Sequence, residues 1–319
     1  KMTAFLPQTS EYYGEWKVVD IGFAKKTMEK YTTRTVFGRT DFQTTLPKRK
    51  VDSHKGDHGK GLIIGGSATM PGAITLATKA ALVAGSGLIT AATLRENIPI
   101  IAAHIPEAMF QTIEASGGGL TADNRLSLSG YDAVAVGVGV GRNEKTEGLI
   151  QRVLEHADCP VIMDADGLYH LKHLLPLLKR RKQPTILTPH AGEMARLSGI
   201  PVEDLWKQPF HISKSFAEEF GVYVVLKGKH TIITSPSGEQ VVESSGNPGL
   251  AKGGSGDVLT GIMTAMVMQE QPLFQAICNA CFIHGKSADL AVEHKHSEYD
   301  LLATDIISWL REVYRMISG

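Results

Sequence analysis

The chain has 319 residues, enough for one large α/β domain or two small ones around a substantial core. Its 33 lysines and arginines balance 33 aspartates and glutamates, so there is no global basic field to hold nucleic acid or an anionic membrane. No apolar run reaches the roughly 18 residues of a membrane span, and the polar start at 1–14 lacks the apolar centre of a signal peptide, so a soluble, cytoplasmic protein is expected.

Residues 1–45 differ in texture from the rest. Trp16-Lys17-Val18-Val19-Asp20-Ile21-Gly22 reads as a short strand, but the polar segments 25–35 and 41–50 show no apolar period, so this part cannot form a core alone. It is expected to be an extension, or the remnant of another domain, docked on the body or on a second subunit. The body begins at His54-Lys55-Gly56-Asp57-His58-Gly59-Lys60-Gly61, which leads into the apolar run Leu62-Ile63-Ile64 and the turn Gly65-Gly66-Ser67, a strand followed by a glycine turn. Pro71-Gly72-Ala73 then opens a helix with Ile74, Ala77, Ala80, Ala81 and Ala84 on one side. Gly85-Ser86-Gly87 closes it before a strand at 88–92, which makes a βαβ unit, right-handed by default.

A strand at 133–136 ends in Gly137-Val138-Gly139-Val140-Gly141, with a helix near 146–157. The GxGxG spacing misplaces the third glycine of a dinucleotide fingerprint, so it favours a bare strand end that a ligand can approach. Val161-Ile162-Met163 ends in Asp164-Ala165-Asp166, carboxylates that suit helix caps and metal or substrate contacts equally. The strand at 185–188 ends in Pro189-His190-Ala191-Gly192-Glu193, where His190 is favoured as a ligand contact over a solvated imidazole. A buried strand at 221–226 runs into Lys227-Gly228-Lys229-His230-Thr231; two cations and a hydroxyl suit a nucleotide's phosphate and ribose or, nearly as well, a solvated turn.

Segments 232–234 and 240–242 read as a hairpin, and the remainder as helices, the last placing Ile306, Ile307, Leu310 and Val313 on one face. Cys159, Cys278 and Cys281 cannot all pair within the chain and are expected as buried thiols rather than zinc ligands. The most informative stretch is Gly253-Gly254-Ser255-Gly256-Asp257, which feeds the apolar segment 262–267. Its glycines remove side chains that would keep a phosphate away, so backbone N–H groups at a helix N-terminus can form an anion cradle. Asp257 would then cap the helix or, beside an anion hole, take a proton from a hydroxyl attacking a phosphoryl group.

Together these motifs, with Met70-Pro71-Gly72-Ala73 after Gly65-Gly66-Ser67 and with Thr188 to Glu193, resemble the bacterial ADP-dependent NAD(P)H-hydrate dehydratases over about residues 50–317. The resemblance implies a ribokinase-like three-layer α/β/α sandwich at 46–319, with a mostly parallel central sheet and helices on both faces. It implies ADP-dependent dehydration of the hydrates NADHX and NADPHX, with ATP as the donor in eukaryotic relatives. Carried over, Asp257 is the base, and the N–H groups of Gly254, Ser255 and Gly256 form the anion hole. Ala73, Gly139 and His190 line the hydrate pocket with Asp257. Lys227, Gly228, Lys229, His230, Thr231 and Gly256 bind the adenine nucleotide.

Mg²⁺ is expected on the phosphates, with Glu193 where such enzymes keep a metal-associated acid. Lys17 to Gly22 resembles the end of the NAD(P)H-hydrate epimerase domain fused in front of the dehydratase in many relatives, so residues 1–45 are expected to be its remnant, without epimerase activity, and a separate epimerase to act on the same substrates. Relatives form tetramers, and a homo-oligomer is expected. Tyr169 stands where the family commonly has Asn, and Ala191 where it has Pro. The rivals are a kinase of the same superfamily acting on a sugar or hydroxymethylpyrimidine, and a nucleotide-binding module without catalysis.

Overall fold

The computed structural model describes residues 2–14, 30–122 and 125–316, together with residues 19, 22, 24 and 27. Its strands are β1 (Arg34–Phe37), β2 (Lys60–Gly65), β3 (Leu88–Thr93), β4 (Met109–Thr112), β5 (Ala115–Ser116), β6 (Gly119–Leu120), β7 (Ala133–Val138), β8 (Val161–Met163), β9 (Thr185–Leu187), β10 (Tyr223–Leu226), β11 (Thr231–Thr234) and β12 (Gln240–Glu243). Ten of them form one sheet in the order β1-β12-β11-β10-β9-β8-β7-β2-β3-β4, and β5 pairs only with β6. Every neighbouring pair in the large sheet is parallel except the two that involve β11.

The central strands read as unbroken apolar runs because both of their faces are covered. Ile63, Ala135, Ile162 and Ile186 face one layer, built largely from the helices Pro71–Val83, Ser255–Val267, Leu273–His294 and Ala303–Arg315. Their neighbours Leu62, Ile64, Val134, Val136, Val161, Met163 and Leu187 face the other, built from Glu144–His156, Asp166–Leu178, Ala191–Ser198 and Pro209–Phe220. All eleven are fully buried, and each large aliphatic among them contributes roughly 1.5–3 kcal/mol against exposure. This is the three-layer sandwich expected from the sequence. The helix Ser255–Val267 lies so close to Pro71–Val83 that a Cβ on Gly261 would stand 2.1 Å from the Ala77 carbonyl oxygen. That contact fixes the glycine loop beside the β2 turn.

Described parts of the first 45 residues pack on the body of the same chain. β1 adds to the sheet edge by pairing with β12, and the helix Arg39–Thr45 buries Phe42 against Phe282 at a ring separation of 4.8 Å. Neither element was foreseen at 25–50. The strand expected at 16–22 lies outside the described residues. The expected helix face is observed, with Ile306, Ile307, Leu310 and Val313 buried, as are the three free cysteines. Among the described residues, no helix is long and apolar enough to cross a membrane.

Candidate active site

From β2 the sheet is built outward through β3 and from β7 in the opposite direction through β8, β9 and β10, so the strand order reverses between β2 and β7, which pair with each other. Ligands of open α/β sheets bind at such a reversal. The C-terminal ends of the two strands are cross-tied: Gly66 N donates to Val138 O at 2.9 Å and Ser67 N to Gly139 O at 2.6 Å. Here stand Ala73 and Gly139, two residues expected in the hydrate pocket; a Cβ on Gly139 would lie 3.2 Å from that of Ala73.

One ion pair is buried at the centre of the neighbouring strand ends. Asp164, after β8, accepts from Lys227 Nζ at 2.8 Å through Oδ1 and from Thr260 Oγ1 at 2.9 Å through Oδ2. Burial alone would favour its neutral form, but Lys227, with the hydroxyls of Thr188 and Thr260, holds the carboxyl below its ordinary value. Lys227 is likewise opposed by burial, and Asp164 and Glu193 hold its pKa above the ordinary one. Between the two acids of this turn, Ala165 has φ +47°, the one positive φ outside glycine among the described residues, a conformation that costs about 1–3 kcal/mol. It lets Asp164 face Lys227 while Asp166 accepts from Gly141 N at 3.1 Å and Arg142 Nε at 2.6 Å.

The glycine loop closes over this pair. Gly254 has φ +92°, which starts the helix Ser255–Val267 as a glycine alone does readily. A Cβ on Gly256 would fall 3.4 Å from Asp164 Oδ2 and 3.7 Å from Lys227 Nζ, so the bare backbone there looks onto the ion pair. Among the described residues, the N–H groups of Gly256 and Asp257 have no acceptor, and the Ser255 hydroxyl is buried without a partner. These are the marks of a cradle built for an added anion. Asp257 does not cap its helix. Burial first, then the charges of Asp164 and Asp166, push its carboxyl up to about 7 despite Lys227, which suits a base working near neutrality.

His190 follows β9 and pairs with Lys227 through an isolated parallel bridge, so the hydrate-side and nucleotide-side expectations meet at one place. Its Nδ1 accepts from Gly192 N at 3.0 Å, capping the helix Ala191–Ser198, while Glu193 Oε2 accepts from His190 N at 2.8 Å. Burial raises the Glu193 carboxyl above its ordinary value, with Lys227 opposing. The rest of the 227–231 turn is braced by other parts of the chain. Lys229 Nζ donates to Ser10 Oγ at 3.2 Å, the His230 ring meets Phe5 edge-on at 5.2 Å, and Gly228 abuts Trp206. Thr231 begins β11.

Several groups that build the site escaped the sequence reading. Thr260 lies on the outgoing helix, and His284, whose Nε2 is 2.9 Å from Ser255 O, braces the cradle from the next helix. Burial depresses the His284 pKa to about 4, so it is neutral and donates to that carbonyl. Asp289 accepts from Gly246 N at 3.0 Å and from Asn247 Nδ2 at 3.2 Å, fixing the approach to the loop. All three come from helices far along the chain whose apolar period gave no sign of a polar task.

This geometry, a strand-end crevice with an acid beside a cradle of N–H groups, coincides with a family match. A model of NAD(P)H-hydrate dehydratase matches residues 61–311. The chain belongs to the NAD(P)H-hydrate dehydratase family. Among its relatives, the ADP-dependent (S)-NAD(P)H-hydrate dehydratase of Bacillus subtilis is 38% identical over 273 residues, covering 86% of this chain and 95% of that protein. The bifunctional NAD(P)H-hydrate repair enzyme of Thermofilum pendens is 34% identical over 313 residues, covering 97% of this chain but 59% of the relative. The chain thus spans less than two thirds of that longer enzyme. A crystal structure of the Bacillus subtilis ADP/ATP-dependent NAD(P)H-hydrate dehydratase, co-crystallised with ATP and Mg²⁺, superposes with a TM-score of 0.77 at 34% identity, covering 88% of this chain and 98% of that one. This dehydratase-family chain has the ribokinase-like fold.

Proposed function

We propose that this chain dehydrates (6S)-NADHX and NADPHX to NADH and NADPH at the expense of ADP. The observation that carries the reading is the placing of Asp257, a carboxyl raised to about 7, at the mouth of a helix N-terminus where, among the described residues, the Gly256 and Asp257 N–H groups have no acceptor. Asp257 takes the proton from the hydrate's ring hydroxyl as that oxygen attacks the terminal phosphorus of ADP. The N–H groups of Gly254, Ser255 and Gly256 stabilise the charge on the transferred group, and AMP departs. Loss of inorganic phosphate from the ring then restores the reduced nicotinamide, so one hydrate and one ADP yield one NAD(P)H, one AMP and one phosphate.

Ala73, Gly139 and His190 are assigned to the hydrate. Lys227 and Gly256, with Gly228, Lys229, His230 and Thr231, are assigned to the nucleotide; Lys227 is the cation of this group that reaches the site interior. Among the described residues, no group of three or more His, Cys, Asp or Glu could hold a metal by itself. The hard carboxylate oxygens of Glu193 and Asp164 beside the cradle fit Mg²⁺ brought in on the nucleotide's phosphates, whose charge it would neutralise. The dehydratase of Bacillus subtilis crystallised with ATP and Mg²⁺ supports that partner and keeps ATP open as a donor.

The first 45 residues are assigned to the end of an epimerase domain, because the match to the bifunctional Thermofilum pendens enzyme takes in 97% of this chain. A cytoplasmic homotetramer completes the reading. The test is a product balance: AMP and phosphate released one for one with reduced nicotinamide support it. A stable phosphorylated acceptor would show a kinase instead, and nucleotide binding without turnover a sensing module.

A further inference from the structure

Beside the site lies a cluster that the proposed chemistry leaves without a task. Arg142 stands just past the β7 glycines, Asp166 and Tyr169 begin the helix after β8, and Arg196 lies on the helix that His190 caps after β9. The three loops are those that form the candidate site. Both guanidinium groups lie over one ring, with Arg142 Cζ 5.2 Å and Arg196 Cζ 4.4 Å from the Tyr169 centroid. Tyr169 itself is 38% exposed, an unusual position for a large aromatic ring at a polar rim.

The charges do not balance. Arg142 is offset by Asp166 at 2.6 Å, whereas among the described residues Arg196 has no carboxylate within ion-pair distance. Two like charges on one ring repel, and a surface that keeps them there has room for a negative partner. Stacking on the ring holds a guanidinium plane and leaves its N–H edge to water, the arrangement that grips a phosphate in two places. The cluster is also within electrostatic reach of the reacting end, since the charge of Asp166 is among those that raise Asp257.

We infer that Arg196, supported by Tyr169 and Arg142, binds a phosphate group of the dinucleotide hydrate. This rests on the proposed dehydratase reading, whose substrate carries a pyrophosphate in both forms and a ribose phosphate in NADPHX alone. The phosphate tail is thereby anchored outside the crevice while the hydrated ring reaches Asp257, so substrate length as well as ring chemistry is read.

The test compares the wild type with Arg196→Gln and Arg196→Lys, using KM for NADHX and NADPHX at saturating ADP. Calorimetric titration with NADH and NADPH accompanies it and needs no turnover. Loss of a charge-assisted contact raises KM and the product Kd about tenfold in Arg196→Gln, more than it lowers kcat, and Lys recovers part of the loss. A rise for both forms places Arg196 on the pyrophosphate; a rise for the NADP form alone places it on the ribose phosphate. Unchanged Kd and KM for both overturn the inference, as does a wild type that binds neither product. A wild type that binds NADH and NADPH but turns over neither hydrate would instead refute the dehydratase reading while the titrations still judge Arg196.

Discussion

Replacing Asp257 by Asn is expected to stabilise the fold while it stops the chemistry. The carboxyl titrates at about 7 in the folded protein against an ordinary 3.8, so the folded state holds its proton through a range where the unfolded chain has released it. Stability from this group is therefore complete below about pH 4 and is lost as pH rises to about 7. The gap of about three pH units, at 1.36 kcal/mol each, amounts to about 4 kcal/mol that wild type gives up above neutrality. Asn has the same shape and no charge to bury. Its advantage is about 1.5 kcal/mol near pH 5 and about 4 kcal/mol near pH 8, the attraction of Lys227 being already contained in the raised pKa. Chemical denaturation of both proteins at the two pH values reads the difference, while turnover falls about 10²–10⁴-fold. A stability gap that does not widen with pH, or a variant weaker than wild type near pH 8, would refute the buried-base argument.

Other substitutions test the remaining parts of the site. Lys227→Met strands the buried Asp164 carboxylate and should cost about 3–5 kcal/mol in denaturation; adding Asp164→Asn should recover most of it, and a loss under about 1 kcal/mol would show the pair to be solvated. Gly254→Ala puts a Cβ 2.7 Å from Leu76 Cδ1 at φ +92°, so a loss of about 1–3 kcal/mol in the denaturation midpoint is expected, together with weaker nucleotide turnover. Unchanged stability there would contradict the observed loop conformation. His190→Ala removes a helix cap worth about 1 kcal/mol and should weaken hydrate binding more than ADP binding; calorimetry showing the reverse would move His190 to the nucleotide side. The rate at low substrate should climb as pH rises through about 7, because Asp257 must lose its proton to act, and a flat profile across that range would point to another base.

What the sequence made legible was local. Strands such as Leu62-Ile63-Ile64 and Val161-Ile162-Met163 announce themselves as apolar runs, and Gly253 to Asp257 announces a cradle by its glycines alone. β1 stayed hidden because Arg34-Thr35-Val36-Phe37 buries only Phe37 and its partner Gln240 to Glu243 is some two hundred residues away. Helix Arg39–Thr45 likewise shows one buried apolar residue, Phe42. The site's polar framework was hidden for the same reason. Asp164 reaches Lys227 and Thr260 across 63 and 96 positions, separations that carry no periodic signal. The 227–231 turn shows the reverse case: a plausible run of cations in which Lys227 faces the site and Lys229 is taken by Ser10.

The most direct measurement is recovery of reduced-nicotinamide absorbance from purified NADH hydrate and Mg²⁺, with ADP and ATP in parallel and the Asp257→Asn protein as control. The account predicts recovery with ADP in the wild type and its loss in the control. Nucleotide consumption without recovery would contradict it, as would recovery that survives the loss of Asp257.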